Sequence, residues 1–248
     1  MNEARLSDDL KQHVLVVSKL DEIAWLTNLR GNDIDFNPVF ESYAVIFHDR
    51  AICFCRRNEE NLRYFCPDWE FRAYDDYKLF IEDLSRDKNL RVWLDFSSIT
   101  MGTRLAFAKN QIIEKDNPIV ISKAIKNRTE IESMKNAHKQ AGVAIVKCFR
   151  RLEKAFASDL SVTEKEFADW LFEEYEKSEN FSDLSFATIA GSGPNGAIVH
   201  YTDLDSRNSM RSGEMLLVDS GIQCAGGTTD ATRTVILGEP NSKQKRIF

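Results

Sequence analysis

The sequence predicts two domains in succession, an α/β domain over residues 1–118 and an α+β domain over 119–248. Three observations carry this prediction. Up to Asn117-Pro118, strand-length apolar runs alternate with helically spaced ones. A single long amphipathic stripe follows. From Phe186 onward the apolar residues regroup into strand-length clusters separated by Gly, Asn and Ser.

Taken in order, His13–Ser18 is a compact apolar run of strand length, and Asp21 is placed to cap a short helix over Glu22–Leu29 closed by Gly31. Tyr43–Phe47 and Ala51–Cys55 flank His48-Asp49-Arg50 as the arms of a hairpin. Cys53 and Cys55, two apart on one arm, share a face. Tyr77–Leu84 has helical spacing, and Arg91–Asp95 returns to a strand pattern.

In the second domain Thr129 and Glu132 have the spacing of a capping box. The stripe Ile131, Met134, Ala141, Ile145, Cys148, Leu152 and Phe156 then defines one apolar helix face. Ser161 and Glu164 repeat the capping device before a helix carrying Phe167, Trp170, Leu171 and Tyr175. Phe186–Ala190, Ala197–Tyr201, Met215–Gln223 and Thr228–Leu237 read as strands.

Composition narrows the partners. With 43% hydrophobic and 29% charged residues the chain can bury a core. Its net charge of −6 argues against nucleic acid or an anionic membrane surface. No apolar run approaches the ~20 residues of a membrane helix, and the amino terminus lacks a secretory h-region. A cytoplasmic protein is expected. The five cysteines have no CxxC spacing and read as reduced thiols.

Asp219 and Asp230 stand out because each interrupts an apolar strand pattern, where an unpartnered carboxylate is costly. A hairpin turn centred between Cys224 and Ala225 sets them directly opposite each other. Two carboxylates so placed repel unless a cation lies between them, and an all-oxygen pair favours a hard divalent ion. The alternative is a hairpin whose aspartates cap turns or pair with Arg233.

Gly191, Gly193 and Gly196 match GxGxxG, but Pro194 and the strand pattern of Ala197–Tyr201 follow. A dinucleotide site needs a helix there, so that reading is rejected. His200 ends the Ala197–Tyr201 strand just past this loop. His13, His48 and His138 read as structural or solvated.

Three separated segments carry a resemblance: DEIAWLTNLRGNDIDFNPVFESYAVI (21–46), DLSFATIAGSGPNGAIVHY (183–201) and LLVDSGIQCAGGTTDATRT (216–234). They strongly resemble aminopeptidase P, the cytosolic three-domain Xaa-Pro aminopeptidase. The resemblance implies a creatinase-type N-terminal-like α/β domain followed by a pita-bread metallopeptidase domain. It implies two divalent metal ions, manganese in most members, and hydrolysis of the amino-terminal Xaa-Pro bond through a metal-activated hydroxide. The substrates it implies are peptides with proline second, and a homodimer through the catalytic domain is common in the family. Asp219 and Asp230 match two metal ligands, the second of them bridging, and His200 matches the histidine that contacts substrate.

The departures are also plain. The family completes its metal site with one histidine and two glutamates, and it has a second catalytic histidine. No histidine follows His200 here, and Glu239 is too close to Asp230 to match. The chain therefore reads as the family's second domain plus the first half of its catalytic domain. On its own it is expected to be inactive and, through exposed apolar edges at Met215–Asp219 and Thr232–Leu237, poorly soluble. The alternative is a non-catalytic remnant or partner-binding pseudopeptidase of the same fold. A pita-bread relative with another activity, such as creatine hydrolysis, is disfavoured by the GTTDATRT and NPVF segments.

Overall fold

A computed structural model describes residues 13–56, 59–204 and 207–247, and divides the chain into two compact units at Lys126/Asn127. The break falls beyond Asn117-Pro118. Those residues instead open a helix, with Asn117 accepting from the Ile119 amide and Pro118 supplying a preset first turn.

The first unit is built on a six-stranded mixed sheet in the order β4-β3-β2-β1-β5-β6. Its strands are β1 (Val14–Val17), β2 (Ser42–Ile46), β3 (Ala51–Cys55), β4 (Trp69–Ala73), β5 (Val92–Leu94) and β6 (Ile112–Glu114). Its helices are α1 (Leu20–Thr27), α2 (Glu59–Phe65), α3 (Asp76–Leu84), α4 (Met101–Ala106) and α5 (Pro118–Ala124).

β1 is the pivot. It pairs antiparallel with β2 and parallel with β5, and all four of its residues are buried. Leu15 and Val17 face one core with Ile23 and Ala24 of α1, Cys53, Cys55 and Trp93. Val14 and Val16 face the other core with Phe54, Tyr77, Ile81 and Leu94. A strand with no polar side is the mark of a sheet covered on both faces. The β2–β3 hairpin and the shared face of Cys53 and Cys55 follow expectation.

The caps of α1 differ from expectation. Lys19, not Asp21, is the N-cap, and the helix ends at Asn28 in a left-handed conformation (φ 54°). Gly31 serves a different purpose: a Cβ there would lie 2.6 Å from the Phe40 Cβ, so the glycine permits close chain approach. Asparagine tolerates the left-handed region well enough to end the helix early.

The second unit starts with α6 (Arg128–Ala157) and α7 (Glu164–Tyr175). Both have capping boxes, each displaced from the expected pair. Asn127 with Glu130 caps α6, and Thr163 with Glu166 caps α7. Asn is as good an N-cap as Thr, and both helices start at the residue whose side chain and N3 glutamate bond reciprocally. The apolar stripe of α6 buries Ala141, Ile145, Cys148 and Leu152, whereas Ile131 is exposed.

Two three-stranded antiparallel sheets pack on these helices. One has the order β12-β9-β8, with β8 (Ile189–Ser192), β9 (Met215–Ser220) and β12 (Ala231–Ile236). The other has the order β11-β10-β7, with β7 (Phe181–Leu184), β10 (Ile222–Cys224) and β11 (Gly227–Thr228). Phe167, Leu171 and Tyr175 of α7 meet Leu216, Val218 and Ile222 in a common core. The exposed stretch of the β12 edge is Thr232-Arg233-Thr234, polar rather than apolar as expected, because its apolar residues Ala231 and Val235 turn toward that core. Helix α8 (Ser242–Ile247) follows.

Glu22 in the first unit supplies a test of these contacts. It is buried and accepts a hydrogen bond from the Asn117 side chain. Burial raises its pKa, with Lys19 acting in the opposite direction. A carboxyl whose folded pKa is raised stabilises the fold below its unfolded pKa and loses that contribution as pH rises through the folded value. Wild type should therefore lose stability relative to Glu22→Gln across the upper carboxylate range, measured as the difference between their urea unfolding midpoints at successive pH values.

Candidate metal centre

Strand β9 places Asp219 by alternation. Leu216, Val218 and Ser220 point into the helix-side core, and the Ser220 hydroxyl meets the Tyr175 hydroxyl at 2.8 Å. Asp219, between Val218 and Ser220, consequently projects from the opposite face. It sits in the middle of its sheet, opposite Ile189 of β8 on one side and Thr232 of β12 on the other.

The turn lies one residue later than expected. Cys224 pairs with Gly227 and Gln223 with Thr228, so Ala225-Gly226 forms the turn and Gly226 takes the left-handed position (φ 82°). Only glycine adopts that conformation without strain. Close packing against α6 fixes it further, since a Cβ on Gly227 would lie 2.8 Å from the Ala137 Cβ. Asp219 therefore directly opposes Thr232, and Asp230 precedes β12 by one residue, two residues before Thr232 in the chain. An even offset keeps both aspartates on one face.

The two carboxyls meet nonetheless. Asp230 is exposed as a residue, but local desolvation of its carboxyl, then the neighbouring Asp219 charge and a hydrogen bond to Asp219, raise its pKa. Asp219 Oδ1 is buried without a hydrogen-bond partner. A buried orphan oxygen facing a second carboxylate is costly as it stands, and a cation satisfies both demands. The all-oxygen donor set suits a hard divalent ion. Among the described residues no group of three or more His, Cys, Asp or Glu is arranged to hold a metal, so the pair contributes part of a donor set.

Two neighbours that sequence reasoning missed hold this geometry. Gly221 joins β9 to β10, and its carbonyl accepts from the Ser185 amide. The Ser185 hydroxyl donates to the Thr229 carbonyl at 2.7 Å, fixing the backbone just before Asp230. A glycine inside an apolar strand pattern was the available signal, since it marks close backbone approach.

His200 is not on a strand. After β8, Gly193–Ala197 forms a 3-10 turn, and Ile198 and Val199 are 53% and 82% exposed. His200 is exposed in a left-handed conformation (φ 54°). The strand expected at Ala197–Tyr201 fails because Gly191 and Gly196 bring the chain back on itself: a Cβ on Gly191 would lie 2.8 Å from the Asn195 carbonyl carbon. The GxGxxG residues thus build a tight 3-10 turn rather than a helix start.

Comparison with known proteins gives this arrangement a lineage. Residues 3–130 match the Creatinase/Prolidase N-terminal domain, and residues 132–248 match metallopeptidase family M24. The chain belongs to the Creatinase/Prolidase N-terminal domain family and continues into metallopeptidase family M24 sequence. It is 38% identical to a probable Xaa-Pro aminopeptidase P of Laccaria bicolor, covering 99% of this chain and 40% of that protein. It is also 38% identical to Xaa-Pro aminopeptidase 1 of Dictyostelium discoideum, covering 93% of this chain and 38% of that one. The X-prolyl aminopeptidase of Caenorhabditis elegans, described as a cytosolic enzyme with a di-nuclear active site, superposes with a TM-score of 0.90 at 27% identity. That match covers 97% of this chain and 41% of the worm enzyme. The chain thus spans about two fifths of the length of these relatives.

Gly221→Ala tests the site's backbone. Its Cβ would lie 1.9 Å from the Thr229 carbonyl oxygen and 2.3 Å from Ser185 Oγ. Main chain must move, and the substitution should destabilise the second unit by about 3 kcal/mol. Gly142→Ala, within α6 and with nothing inside 4 Å, should instead stabilise it by ~0.5–1 kcal/mol. Thermal unfolding of the two variants reads both effects.

Proposed function

We propose that this chain carries the first part of an Xaa-Pro aminopeptidase site, in which Asp219 and Asp230 are two ligands of a divalent metal pair. The observation that supports this most directly is the unpartnered buried oxygen of Asp219 against the Asp230 carboxyl. The substrates are peptides with proline second, as the names of the relatives state for those proteins. Manganese is the proposed metal and the cytosol the proposed location, the latter supported by the description of the worm enzyme. No described helix is long and apolar enough to cross a membrane.

Divalent ions held at such a site supply Lewis acidity, which makes water nucleophilic at neutral pH and offsets negative charge developing at the peptide carbonyl. The chain's own residues have narrower tasks. Asp219 provides anionic oxygens from the middle strand of its sheet, and Asp230 from the short link that enters β12. His200, at an exposed turn, has the proposed role of hydrogen-bonding a bound peptide. Proline in the second position leaves no N–H at the scissile nitrogen, so recognition must work without that donor.

Two carboxylates do not by themselves hold a metal pair, so the 248-residue chain alone should release no residue from an Xaa-Pro peptide with manganese present. It should bind one Mn2+ weakly. Millimolar Mn2+ should raise the melting temperature of wild type and leave Asp219→Asn unmoved, because binding only to the folded state stabilises it. Without metal, Asp219→Asn should be the more stable protein by ~0.5–1 kcal/mol, since it removes repulsion from Asp230. An equal response of both proteins to Mn2+ would remove Asp219 from the site, and robust peptide hydrolysis by the chain would overturn its reading as a partial site.

A further inference from the structure

Glu164, at the first position of α7, is fully buried (0% exposed). A carboxylate taken out of water must be compensated, and here the compensation comes from neutral donors on one stretch of chain and its neighbour. The Ser192 amide and hydroxyl donate to Oε1 at 2.6 and 2.9 Å. Asn195 Nδ2 lies 3.1 and 3.0 Å from the two oxygens, and the Tyr201 hydroxyl donates to Oε2 at 3.0 Å. Asn208 Nδ2 donates to Oε1 at 3.2 Å, and Asn195 also bridges to the Tyr201 hydroxyl at 3.0 Å. The helix N-terminus beneath adds its own field in support of a negative charge.

These partners bracket one segment. Ser192 ends β8, Asn195 lies in the 3-10 turn, and Tyr201 immediately follows His200. Glu164 therefore grips the segment on both sides of Ile198-Val199-His200, whose own side chains are exposed. The backbone at His200 is left-handed, an uncommon conformation for a non-glycine residue though one histidine adopts more readily than most. The segment gains nothing from a sheet, since it lies outside every strand. Ser192, Asn195 and Tyr201, on either side of it, all bond to the Glu164 carboxylate.

We propose that Glu164 is a positioning residue for His200: it touches no substrate but sets the geometry of the Ser192–Tyr201 segment through which His200 is presented. Any consequence for catalysis rests on the proposed substrate contact of His200; the positioning itself does not. An ionised carboxylate only accepts, whereas a glutamine at the same place turns one acceptor into a donor facing other donors. Glu164→Gln keeps the shape and breaks the set.

The test uses the whole 248-residue chain and the imidazole NMR signals of His200, with His138 on α6 as internal control. Glu164→Gln should shift and broaden the His200 signals, leave those of His138 in place, and speed exchange of the Ser192 amide by at least about tenfold. Unmoved His200 signals in a folded Glu164→Gln protein would overturn the proposal. If that variant does not fold, Asn208→Ala decides. It removes one donor that lies outside the Ser192–Tyr201 segment, and should shift His200 in the same direction; no shift would again overturn the proposal. The substrate role of His200 fails separately, if His200→Ala in a catalytically active form of the protein hydrolyses Xaa-Pro peptides at the parent rate.

Discussion

The register of β9 against β12 is the constraint on which the second unit depends. Asp219 is one residue from Val218 and one from Ser220, both of which fill the helix-side core. A slip by one residue would drive the carboxylate into that core and expose Leu216 and Val218. The register is held from three directions: Leu216 and Val218 pack on α7, the Tyr175 hydroxyl meets Ser220, and Gly226-Gly227 seat the turn against α6. The stability of an ordinary hydrophobic core thus fixes the position of two groups that oppose folding. Strain of this kind, imposed by a well-packed surround, is typical of sites that await a ligand.

Much of the fold was legible because it rests on local pattern. The continuous apolar run at Val14–Val17, the His48-Asp49-Arg50 hairpin and the stripe of α6 each follow from side-chain periodicity alone. Helix boundaries were less legible, since several polar residues near each end can cap. Asn127 and Thr163 won over Thr129 and Ser161, and Asn28 over Gly31. The strand assigned to Ala197–Tyr201 failed for a different reason. Its apolar residues Ile198 and Val199 are exposed, and the backbone path is dictated by Gly191, Gly196 and a distant carboxylate.

In the candidate site, the pairing of Asp219 with Asp230 was legible and its geometry only nearly so. Parity along the strands puts both on one face whether they are directly opposed or diagonal, so the pairing survived a turn displaced by one residue. Glu164 shows the limit more sharply. In the sequence it completes a capping pair with Ser161; in the structure Glu166 caps, and Glu164 turns inward to partners 28 to 44 residues away. No local pattern encodes partners at that range. The two carboxylates therefore differ in their surroundings: buried Glu164 has a full set of donors, and half-buried Asp219 has a buried oxygen with none.

That contrast is the centre of the account, and paramagnetic broadening by Mn2+ tests it most directly. Mn2+ titrated into the 15N-labelled chain should first broaden the amides of Asp219 and Asp230, of the Asp219 register partners Ile189 and Thr232, and of nearby Gly221. Amides around Glu164, whose acceptors are already filled, should give no focus of their own. Broadening centred on another acidic patch, with the β9–β12 amides unaffected, would contradict the assignment of the aspartate pair as a metal-binding half-site.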